Sequence, residues 1–170
     1  IAGPWAWGGY FQIQSKGTIC IDHQVVANQQ AQKKFSRLYW SGYQNTTENL
    51  LVLNVANAFL VTPDWYVCTG FNIDLNGYDQ SCTFITKPNN YDKEGYPVSV
   101  RSSTGHATLT IIEEKTTDYT RPVRFEGNLS LVYSRLGKQT ITGWKSTATG
   151  SLEVRRGSFE LADGAGWGGD

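Results

Sequence analysis

The sequence predicts an all-β domain: an antiparallel sandwich or barrel of about ten strands, with one short helix near residues 23–39. Three observations predict it. Short β-prone runs recur between turn residues. Within several runs apolar and polar residues alternate, the period of a half-buried strand. Aromatic residues make up 13% of the 170 residues and charged ones only 18%, a chain with much to bury and, against a usual charged share of about 25%, few charges.

In chain order, residues 10–14 alternate, and residues 18–21 do so after a turn at Gly17. Residues 25–40 depart from this pattern. Ala27, Ala31, Phe35 and Leu38 fall on one helical face, with Gln29, Gln30, Lys33, Lys34 and Arg37 opposite and Asp22 placed as an N-cap. Residues 50–61 contain Val52, Val55, Phe59 and Val61, which favour a buried strand over a helix. Residues 65–71 form the next strand. The run Asp74, Leu75, Asn76, Gly77, Tyr78, Asp79 is a hairpin turn signal, and residues 81–86 return from it. A long loop spans residues 89–96. Strands follow at 98–101, 107–112 and 123–133, the last keeping its period of two across Gly127. Residues 140–144 and 150–155, then Phe159 and Leu161, complete the series. By eye the chain shows no repeat at a fixed period. One domain, residues 1–170, carries Gly/Trp-rich arms at 1–9 and 162–170.

Composition excludes several functions. Fifteen basic side chains balance 15 acidic ones, so there is no basic excess for nucleic acid. The longest apolar run is broken by Asn54 and Asn57 and falls short of the roughly 20 residues of a membrane span. The chain starts at Ile1 and contains no Met, which reads as a processed product whose signal peptide has been removed. The expected location is extracellular or at the cell surface. Cys68 and Cys82 flank the predicted hairpin and are expected to form a disulfide, with pairing through Cys20 as the rival. Asn45 and Asn128 begin sequons and are candidate glycosylation sites, Asn45 the better placed in a loop.

No catalytic residues, metal ligands or cofactor are expected. His23 and His106 have no partner at metal spacing. The residues 74–79 offer oxygen ligands, but a plain turn explains them. No phosphate loop or nucleophile elbow appears. A glycosidase needs two facing carboxyls, and the candidates are Glu113, Glu114, Glu126, Glu153 and Glu160. Parity weighs against most of them: Glu126 and Glu153 each share a strand face with an arginine, Arg124 or Arg155, opposite the apolar side.

The aromatic residues outside the core pattern carry the functional expectation. Trp5, Trp7, Trp40, Tyr43, Tyr78 and Trp167 are the candidate partner- or ligand-binding residues. Trp7 and Trp167 lie in matching Trp-Gly-Gly sequences near the two ends. The leading expectation is a secreted, non-enzymatic structural or adhesive protein. It would bind itself or another extracellular protein through its ends by strand addition. A carbohydrate-binding module using loop Trp and Tyr is the alternative, with a glycan as partner. A glycoside hydrolase or polysaccharide lyase comes third.

Overall fold

A computed structural model describes residues 6–7, 10–13, 17–24, 26–27, 37–40, 49–59, 64–67, 70–83, 85–86 and 98–168. For residues 6–7, 10–13, 26–27, 37–40 and 86 it describes the backbone alone. The strands are β1 (Ala6–Trp7), β2 (Tyr10–Ile13), β3 (Thr18–Ile21), β4 (Val26–Ala27), β5 (Arg37–Trp40), β6 (Asn49–Leu53), β7 (Asp64–Val67) and β8 (Phe71–Asp74). They continue with β9 (Gln80–Cys82), β10 (Ile85–Thr86), β11 (Val98–Glu113), β12 (Tyr119–Arg121), β13 (Val123–Thr142), β14 (Thr147–Ala148) and β15 (Leu152–Ala162).

Every strand pair among the described residues is parallel. The chain is a β-solenoid, and the expected antiparallel sandwich or barrel is wrong. Each turn lays strands into three columns. The first holds β3, β6, β8, the start of β11, the start of β13 and β14. The second holds β9, then residues 107–113 of β11, 129–135 of β13 and the start of β15. The third holds β2, β5, β7 and β10, then β12 and the ends of β13 and β15. Short β-prone runs, alternation and turn residues are common to hairpins and solenoid corners. That is why composition and period selected the right class and the wrong pairing.

The turn at Asp74–Asp79 shows the difference. β8 pairs with the first part of β11, and β9 pairs with its second part in the same direction. The intervening residues therefore turn a corner between two columns and do not reverse the chain. The expected helix is also corrected. Val26–Ala27 and Arg37–Trp40 are strands, while residues 28–36 lie outside the described ones. A repeat does exist in the later rungs. Gln139 pairs with Tyr119 and with Phe159, each 20 positions away. Thr147 pairs with Glu126, and Gly166 with Lys145, each 21 positions away. Earlier rungs vary in length, from 20 positions between Ala6 and Val26 to 32 between Thr18 and Leu50, and this variation hides the period.

The interior is a set of side-chain stacks. Leu51, Ile73, Val100 and Phe125 are register neighbours in the first column, and all are fully buried. Cys82, Ile111 and Tyr133 do the same in the second. Each such apolar side chain contributes about 1.5–3 kcal/mol by leaving water. The corners are tied by polar side chains. Asn54 donates to the Asp22 carboxylate (2.5 Å), Asn76 donates to Asn54 Oδ1 (2.7 Å), and Thr104 donates to Asn76 Oδ1 (2.9 Å). One donor–acceptor link thus crosses each of three successive rung gaps. Buried Gln80 completes a neighbouring corner, accepting from Ala58 N (2.9 Å) and donating to the Val55 carbonyl (2.7 Å). Such bonds satisfy backbone groups that a solenoid corner would otherwise strand.

Candidate functional site

The residues selected from sequence do not gather in one place. Trp167 lies at the C-terminal end of the solenoid. Its ring packs on Phe125 (centroids 5.4 Å apart, tilted by 47°), and its Nε1 donates to the Gly150 carbonyl (2.9 Å). Tyr78 is exposed at the corner between β8 and β9. Trp7 belongs to β1 and Trp40 to β5, where the backbone alone is described. Trp5, Tyr43, Asn45 and Cys68 lie outside the described residues. Asn128 is exposed, one residue past the Gly127 corner. Cys82 is an unbridged thiol, fully buried in β9, so the Cys68–Cys82 disulfide is not formed. Burial pushes the Cys82 thiol well above its usual range; Asp64 adds to this and Arg135 opposes it.

Among the described residues, the core is only partly covered at the C-terminal end. Leu152, Phe159 and Leu161 of β15, with Ala165 and Trp167, pack on the core but stay partly exposed. Val154, the register partner of buried Tyr133, is 46% exposed. These side chains continue the interior stacks, and on their far side the described residues lay no further strand over them. β15 pairs with β13 on one side only among the described residues. Its backbone edge and its apolar flank therefore face the same way. After β15 the chain turns at Gly164 and re-enters the first column, where Gly166 bridges Lys145 and accepts from Ser146 N (3.1 Å).

Charged side chains surround this end in pairs. Arg155 grips Glu153 with two bonds (2.8 and 3.0 Å), and Arg156 grips Glu114 two rungs away (2.7 and 3.0 Å). Both carboxyls are held below their ordinary range, in each case first by the guanidinium hydrogen bond. A general acid needs the opposite shift. The other candidate carboxylate, Glu126, lies on the outward side of the first column. Ser99 Oγ donates to it and Arg124 Nε sits 3.1 Å away, with the Arg124 guanidinium 5.9 Å from the Trp144 ring centre.

Two buried charge contacts are not legible in the sequence, although Asp74 itself falls in the predicted turn. Asp74 lies on the outward parity of β8, yet its side chain is only 4% exposed. It accepts from Asn76 N (2.9 Å), Ser103 N (3.1 Å) and Arg101 Nε (3.0 Å), so it knots two corners together. Between the second and third columns, buried Arg135 donates to Glu113 (2.9 Å) and to the Thr117 carbonyl (2.7 Å), and its guanidinium sits 4.8 Å from the Tyr119 ring centre. Glu113 also pairs with Lys115 at 3.2 Å, which raises the lysine's pKa. The spacing of Asn54 and Asn76, which match the register of β6 and β8, was the one sequence signal that could have pointed to the corner ladder.

Among the described residues, no three ligating side chains gather to hold a metal ion. No described helix is long and apolar enough to cross a membrane. No protein-family model matches the chain, and neither a curated protein nor a solved structure matches it.

Proposed function

We propose that this chain is a non-enzymatic structural or adhesive module that associates through the ends of its solenoid, outside the cell or at its surface. The observation that supports this most is the C-terminal end. β15, an eleven-residue strand with one partner among the described residues, flanks apolar side chains that remain partly exposed. Exposed strand edges recruit further strands, and solenoid ends need covering to stay soluble. The outward carboxylates favour the same reading, because Asp74, Glu114, Glu126, Glu153 and Glu160 each have a cationic partner. They stiffen the rungs. A formal net charge of zero removes long-range repulsion between copies. The extracellular setting draws on the two sequons, of which Asn128 is exposed.

The mass of the chain in solution, measured by light scattering over a wide concentration range, tests this. Mass rising above that of one chain is the expected result. A strict monomer at every concentration would contradict it.

A further inference from the structure

We infer that the occupant of the C-terminal end is the first rung of a second copy, docked head to tail so that its strands continue the three columns. This rests on the proposed end-association and specifies its partner and its sense. β1, β2 and β3 each lie at the outer edge of their sheets, while β15 and Gly166 occupy the opposite edges. The order of columns at the two ends also matches. By its place between the first and third columns, β1 with its partner β4 belongs to the second column; β2 is in the third and β3 in the first. At the other end the chain runs through the second and third columns in β15 and finishes its spiral in the first at Gly166. A following copy therefore lays β1 over the start of β15, β2 over its end and β3 over Gly166. No column is skipped and none is doubled. Every rung contact among the described residues is parallel, and a head-to-tail contact keeps that sense. Two C-terminal ends meeting about a twofold axis would pair β15 antiparallel and set the third column against the first.

Such an interface uses two different surfaces, so it does not close on itself and growth continues. Three proteins separate the possibilities. Val154→Glu places a charge on the C-terminal end at a side chain already half exposed. Deleting residues 1–9 removes β1 from the other end, and Trp7→Asp serves instead if the deletion lowers the melting temperature into the working range. The expected results are wild-type mass that keeps rising with concentration, both variants monomeric alone, and twice the monomer mass, without further growth, when the two are mixed. A deletion variant that dimerises alone, or a mixture that stays monomeric while the wild type associates, overturns the head-to-tail contact and leaves end-association standing. A monomeric wild type overturns both.

Discussion

Single residues hold this fold where rungs meet. Gly157 sits at a corner of β15 with φ 71°, and a Cβ there would overlap the Arg135 carbonyl oxygen. Gly143 has a similar φ of 75° but open space around its Cα. Gly157→Ala should therefore lower stability by clearly more than the roughly 1–2 kcal/mol expected of backbone strain alone at Gly143→Ala; chemical denaturation of the two variants ranks them. Removing Glu113 strands a fully buried guanidinium, so Glu113→Gln should cost about 3 kcal/mol, and Arg135→Met, which removes the charge itself, should cost less. The raised pKa of Cys82 keeps its thiol protonated through neutral and mildly alkaline pH. Alkylation mapped by mass spectrometry should leave Cys82 unmodified in the folded chain and modify it on unfolding; equal rates in both states would contradict its burial. These residues were only partly legible beforehand. The pairing of Glu113 with Arg135 was not legible, because a period-two pattern says which side of a strand a residue takes but not that two columns meet there.

At the scale of elements, the segment after β15 covers part of the first column and leaves the flank of β15 open. Trp167 was selected from sequence for its glycine-rich surroundings, and it rests on Phe125 and bonds to Gly150. Trp167→Ala removes a half-buried ring and its hydrogen bond, and should lower stability by about 2 kcal/mol, read from the shift in denaturation midpoint. The strands themselves were largely legible: residues 18–21, 98–101 and 107–112 lie within β3 and β11, and the alternation through Val123, Phe125, Leu129 and Leu131 is the buried side of β13. The residues 74–79 were legible as a turn but not as a corner. Both need Gly and Asn at positive φ, as at Asn76 (φ 50°) and Gly77 (φ 84°). Which way the next strand runs is decided by the rung below it, a contact 20 or more residues distant.

For the whole molecule, the organising feature is parallel register. The early rungs of varying length and the regular late ones share columns but not a single period, so the pairing is not visible by counting. The same register places the end strands, and with them the association surface. Paired cysteines test it. Thr110 and Val132 are partners on adjacent rungs, and Glu153 is the partner of Val132 one rung further on. Adjacent parallel strands lie about 4.8 Å apart, within reach of a disulfide, whereas two rungs span about 9.6 Å and are beyond it. Mild oxidation of the Thr110→Cys/Val132→Cys double variant, followed by peptide mapping, should give an intrachain disulfide between the two positions, while the Thr110→Cys/Glu153→Cys variant should give none. Failure of the first pair to bridge in folded protein, or bridging of the second, would contradict the parallel solenoid.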